Sequence, residues 1–147
     1  MTHLQISRIV RLAGICHRSE HVFAQAIQST SCKEFRGCVG RIRQVLHEFR
    51  FQLLLELERR GEGVTSGFLN EGEYASAYSN CESSLRFVVE SYQRVLSTPL
   101  PPHTTAMLKR QHEQLEQLYD EFKQFVAVLL GLIDDQPQSE AITTVAL

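Results

Sequence analysis

Glu20 stands where a helix should be apolar. Ile9, Ala13, Cys16, Phe23 and Ile27 recur in alternating steps of four and three, and Glu20 completes the series. A carboxylate in such a seam needs a partner, a metal or a raised pKa, because burying it alone is costly. His17-Arg18-Ser19-Glu20-His21 also matches H-x-x-E-H, in which two histidines one turn apart hold zinc and the acid activates water. The chemistry implied is metal binding at Glu20, His17 and His21, with iron or zinc as the ion. A dinuclear bundle asks for more: an inward Glu from each of two helices and Glu-x-x-His from each of the other two. Gln44-x-x-His47 offers an amide instead, Leu85 stands at the position matching Glu20 with Glu82 nearby, and Glu113-x-x-Glu116 lacks the histidine, His112 being wrongly spaced. Those residues leave room for a reduced or mononuclear site at most. The simpler reading makes Glu20 a register-setting residue, paired with an arginine or hydrogen-bonded to Gln111.

No residue reads as catalytic. There is no P-loop, no Gly-x-Gly-x-x-Gly and no serine elbow, the signatures that would bring phosphate, dinucleotide or acyl chemistry. Cys16 and Cys81 fall on apolar seams and read as small buried residues, whereas a reactive thiolate wants exposure and a basic neighbour.

The elements that must carry these residues are helices. Seams run through Phe35, Val39, Ile42, Leu46, Phe49 and Leu53, through Tyr74, Tyr78, Cys81, Leu85, Val88, Tyr92 and Val95, and through Leu108, Gln111, Leu115, Leu118, Phe122, Phe125, Leu129 and Leu132. Their spacing predicts helices over roughly 4–29, 32–60, 72–97 and 102–133, packed knobs into holes. Ser31-Cys32-Lys33-Glu34 reads as the capping box of the second, and Gly61 as its C-cap. Gly61 to Gly72 is the one long loop, and Pro101-Pro102 opens the last helix. Gly37 and Gly40 inside the second helix suggest close helix contact. The expected fold is an all-α, antiparallel up-down-up-down bundle over 1–135 with a flexible tail at 136–147. Its core should hold Ile42, Leu46, Phe49, Leu85, Val88, Leu115, Leu118 and Phe122. The matching registers of the first and third helices suggest a duplicated hairpin.

A chain of 147 residues with 43% hydrophobic content suits one domain with a sizeable core. Mean hydropathy is −0.17, and no apolar run approaches the ~20 residues a membrane span needs. No secretory leader is legible. Four cysteines without a C-x-x-C pattern suggest a reducing, cytoplasmic setting. Residues 1–60 hold ten Lys/Arg against five Asp/Glu, a net +5; residues 61–147 hold five against twelve, a net −7, which together give the overall −2. Arg36, Arg41, Arg43 and Arg50 are interleaved with Glu34 and Glu48, so two hairpins of opposite charge that attract each other fit better than a nucleic-acid surface.

Several segments resemble an uncharacterised bacterial family of ferritin-like four-helix proteins. The resemblance rests on Cys16-His17-Arg18-Ser19-Glu20, Cys81-Glu82-Ser83-Ser84, Leu100-Pro101-Pro102 and Arg110-Gln111-His112. It implies a ferritin-like bundle with Glu20 at the place of an inward acid. Leu85, where a second acid is expected, and a shorter loop between the second and third helices depart from that pattern. The expected function is non-enzymatic association, with no cofactor. Phe51, Leu54 and Leu55 widen the second helix beyond its inward seam, which suggests a homodimer through that helix, unless Phe68 and Leu69 fold back over it.

Overall fold

The computed structural model describes residues 1–60, 80–129 and 131. Among them are four helices, α1 (His3–Ser29), α2 (Lys33–Arg59), α3 (Cys81–Leu96) and α4 (Pro102–Leu129), and no strand. No helix of the described residues is long and apolar enough to cross a membrane. The loop Gly61 to Gly72, Phe68, Leu69, Tyr74, Tyr78 and the tail at 136–147 lie outside the described residues.

Local chemistry sets the helix ends. Thr2 accepts from the Gln5 amide at 3.1 Å while the Gln5 side chain accepts from the Thr2 amide at 2.8 Å, a reciprocal cap that starts α1. Asn80 and Ser83 do the same for α3. Asn80 is fully extended, at φ −155 and ψ 176, so the expected helix from 72 to 97 is corrected: the third helix of the bundle opens at Cys81. The Ser31 capping box does not form. Cys32 occupies the cap position without a side-chain bond to the helix amides, and its own amide goes to Thr30 Oγ1 at 3.2 Å. At the far end of α4, Gly131 takes φ 76 and donates to the Val128 carbonyl at 3.0 Å. That left-handed turn ends the helix before Leu132, earlier than the sequence pattern suggested.

Pairs of contacts fix the direction of each helix. Gln5 bonds the Pro99 carbonyl, Cys16 meets Tyr92 and Ser19 meets Ser84, so α1 and α3 run antiparallel. Glu20 with Arg50, and Ile27 beside Gly40, set α1 against α2. Tyr92 with Gln111, and Glu82 with Tyr119, set α3 against α4. Thr104 with Glu56, Gln111 with Gln52, and Glu121 with Arg41 set α4 against α2. Every neighbouring pair is antiparallel, and α2 and α3 are therefore parallel across the diagonal. The order is up-down-down-up, which corrects the expected up-down-up-down. Short connections force the hairpins α1–α2 and α3–α4. The long connection between 60 and 80 leaves the direction of α3 open, and side-chain packing decides it. The last turn of α2 lies beside Thr104 and the first turn of α3 beside Tyr119, roughly 22 Å apart along α4.

All eight expected core residues are buried, from 0% exposure at Leu46, Leu85, Val88 and Leu115 to 8% at Leu118. The α1–α2 interface is the most extensive and the α2–α4 interface the thinnest. The register that sets Glu20 against Leu85 also sets Cys16 against Cys81 and Ser19 against Ser84. Ser19 and Ser84 are fully buried and share a 2.6 Å hydrogen bond, as two matching residues would at the axis of a local two-fold between the hairpins. Leu46 and Leu115 are the matching buried pair of α2 and α4.

The glycines of α2 do not mark a close approach. A Cβ at Gly40 would meet only Ile27 Cδ1, at 3.9 Å, and one at Gly37 would meet nothing within 4 Å. Both therefore carry the entropic cost of a mid-helix glycine without a steric return. Gly37→Ala is expected to stabilise the protein by about 0.5–1 kcal/mol in denaturant unfolding; a destabilised variant would show a constraint at this turn that packing does not reveal.

Candidate functional site

Glu20 is buried, at 8% exposure, and its partner is an arginine, as one reading of the seam required. Arg50 reaches across from α2, with Nε 2.6 Å from Oε2 and Nη2 3.4 Å from Oε1. His47 Nδ1 stands 3.2 Å from Glu20 Oε1 and 3.1 Å from Arg50 Nη2. Arginine can only donate, so His47 Nδ1 accepts from Arg50 when it carries no proton and donates to Glu20 when it does. Gln111 is not the partner. It bonds Tyr92 and Gln52 instead.

His17 and His21 lie on the exposed face of α1, their rings edge to face at 4.8 Å. Partial burial, then the nearby Arg50 and His21, lower the His17 pKa. The structure thus pairs the two histidines with each other and gives both oxygens of Glu20 to α2. Among the described residues no three His, Cys, Asp or Glu side chains converge as a metal site would need. The second hairpin has neither half of the ion pair. Leu85 replaces Glu20, and Tyr119, at the place of Arg50, donates its hydroxyl to Glu82.

A second buried acid went unread in the sequence. Glu56 is 3% exposed, and it continues the α2 seam one step beyond Leu53. Thr104 precedes Leu108 on the α4 seam in the same way, so extending both series by one position would have found the pair. The Thr104 hydroxyl donates to Glu56 Oε2 at 2.6 Å and Arg60 Nε to the same oxygen at 2.9 Å. Arg59 Nη2 reaches Oε1 at 2.8 Å, and His103 Nδ1 stands 3.3 Å from Oε1. Burial alone would raise the Glu56 carboxyl, but these four partners outweigh it and hold the pKa at about 2. The acid also sits beside the first turn of α4, where the helix dipole favours negative charge.

Between these two acids a buried polar chain crosses the core. Cys16 Sγ lies 3.8 Å from Tyr92 Oη, Tyr92 donates to Gln111 Oε1 at 2.7 Å, and Gln111 Nε2 donates to Gln52 Oε1 at 2.7 Å. Cys16 and Tyr92 are fully buried and Gln111 is 2% exposed. Burial pushes the Cys16 thiol up to about 12 and the Cys81 thiol to about 11, so neither is a nucleophile at neutral pH. The chain surfaces in a cleft of about 380 Å³ between α2 and α4, walled by Gln52, Leu55 and Arg59 on one side and Met107, Arg110 and Gln114 on the other.

The chain matches no family model, no curated protein and no solved structure.

Glu56 and Glu20 separate in experiment. A carboxyl depressed on folding adds stability that is present in full above its ordinary value of 4.5 and is lost as the pH falls toward about 2. Glu56→Gln should flatten the acid dependence of unfolding free energy in that window; an unchanged slope would refute the assignment. Glu56→Ala should cost about 3 kcal/mol, because it strands Thr104 and Arg60. Glu20→Leu should be neutral or stabilising, since Arg50 and His47 can turn to water and an apolar side chain suits the seam.

Proposed function

We propose that this protein is a non-enzymatic helical bundle that acts through association, with α2 meeting its symmetry mate in a second copy. The carrying observation is the outward face of α2. Phe51 and Leu55 lie one helical turn apart and are each 50% exposed, far more than a residue of the core. Leu54 is half-buried against the core and contributes less to this strip than its type suggested. The ends of the strip carry both signs, Glu48 and Glu58 beside Arg59, so two copies can pair without stacking like charges. Closed two-fold pairing is the commonest way for a soluble chain to cover such a face.

The up-down-down-up order supports a ferritin-like architecture, in which one long connection joins two antiparallel hairpins. The free thiols of Cys16, Cys32, Cys38 and Cys81 support a reducing, cytoplasmic setting. Arg41 paired with Glu121 at 3.2 Å supports attraction between the basic and acidic hairpins rather than a basic surface held for nucleic acid. A mononuclear metal site near Glu20 is the second reading, favoured by the His17–His21 ring pair. Metal analysis of tag-free protein decides it: an iron or zinc ion lost in Glu20→Ala would establish that reading.

Sedimentation tests the first. The protein should run as a dimer at tens of micromolar, and Phe51→Glu or Leu55→Glu should give a monomer of unchanged helicity. A monomeric parent chain would overturn association through α2.

A further inference from the structure

The α2–α4 cleft has a one-sided hydrogen-bonding inventory. Tyr92 has a single proton and gives it to Gln111 Oε1, so the thiol of Cys16 is the donor in the contact behind it. With its oxygen taken, Gln111 must turn Nε2 outward, toward Gln52 and the cleft. One of its two protons goes to Gln52 Oε1; the other has no acceptor among the described residues, although the side chain is almost wholly buried. Gln52 accepts that bond through its oxygen, which keeps a second lone pair, and presents an NH₂ group with both protons unused among the described residues. Arg110, on the opposite wall, has no ion pair or hydrogen bond among the described residues. The acid that lines the cleft is no acceptor for a ligand. Both oxygens of Glu56 are committed to Thr104, Arg59, Arg60 and His103. Gln114 can turn either way. Two amides and a guanidinium thus offer protons to a space in which the charged acceptor, Glu56, is already committed, while Phe49, Leu55 and Met107 give it apolar walls.

We propose that this cleft binds a small organic carboxylate with an apolar body, the carboxylate taken by Arg110, Gln111 and Gln52 and the body by Phe49, Leu55 and Met107. An oxyanion is the chemistry that answers an excess of donors, and a planar carboxylate matches the fork of an arginine. The volume of about 380 Å³ falls in the range of small-molecule sites. The buried thiol and phenol position the site without touching the ligand: they fix which end of Gln111 faces out. Leu55 belongs to both the cleft and the association strip, so the two readings are told apart at Arg110 and Gln111, which belong to α4 and lie outside the strip.

The test uses the full chain and phenylacetate as probe, with phenylacetamide and inorganic phosphate as controls, followed by calorimetry and by the side-chain amide signals of Gln52 and Gln111. Phenylacetate should bind and move both amide signals. Arg110→Ala, a change at an exposed residue, should weaken binding about tenfold or more, and Gln52→Leu should weaken it without loss of helicity. Phenylacetamide should bind at least about tenfold more weakly, because it brings no charge, and phosphate should bind more weakly still for want of an apolar body. Equal binding of phenylacetate and phenylacetamide, undiminished binding to Arg110→Ala, or no movement of the two amide signals at millimolar phenylacetate would each overturn the proposal. Sedimentation of Arg110→Ala in parallel keeps this outcome separate from that for α2, since the variant leaves Phe51 and Leu55 intact.

Discussion

A carboxylate taken out of water has to be given partners, and Glu56 is given four. That requirement joins the last turn of α2 to the first turn of α4, the adjacent helices with the least other contact. Thr104 contributes a fully buried hydroxyl, and Arg59 and Arg60 fold back over the acid from its own helix. The result is a rivet at one end of the bundle that only one pairing of helices satisfies. Apolar seams accept many partners of similar volume; an acid that needs Thr104 and His103 accepts one. The polar chain from Cys16 to Gln52 imposes the same selectivity nearer the middle, and the pair Glu20–Arg50 imposes it between α1 and α2. Between them these polar groups reach all four interfaces between adjacent helices, so together they specify the arrangement that hydrophobic burial stabilises.

The helices and their inward faces were legible in the sequence because the apolar residues of α1, α2 and α4 recur without a break over many turns. Glu20 was legible for the same reason, since an interruption is visible only against a regular series. Glu56 escaped because it sits where the α2 seam was taken to have ended, next to charged residues at the helix terminus. There a buried acid and a solvated one look alike in sequence. The helix direction escaped for a different reason. Short connections dictate antiparallel neighbours, but nothing in residues 60–80 encodes which end of the bundle the chain reaches. That information is distributed over contacts such as Ser19 with Ser84 and Gln5 with Pro99, which pair residues far apart in the chain. The start of α3 also went unread: Asn80 with Ser83 makes a capping box whose second member is a serine, not the usual Glu or Gln.

The two hairpins share a register but differ in what they place on it. Leu85 and Tyr119 of the second stand where the first has Glu20 and Arg50, an apolar residue and a phenol in place of an ion pair. The amide Gln111 corresponds to Ile42. The levels of Glu20 and Gln111 keep a buried polar group on one hairpin only, whereas Ser19 and Ser84, which bond each other, keep one on both. A buried polar group needs its partners supplied from the other helices, and a symmetric pair would double that demand in one small core.

The hydroxyl contact between Ser19 and Ser84 limits how this protein can change over time. Two fully buried serines facing each other at 2.6 Å hold α1 and α3 within the reach of two short side chains. Enlarging either one pushes on the other, and because the two positions correspond under the local two-fold, the strain spreads to both hairpins equally. Replacing one hydroxyl alone leaves the other buried without its partner. The two positions are thus tied in descent: substitutions that persist should come as a pair, small for small, and one hairpin cannot drift in sequence at this point while the other stands still.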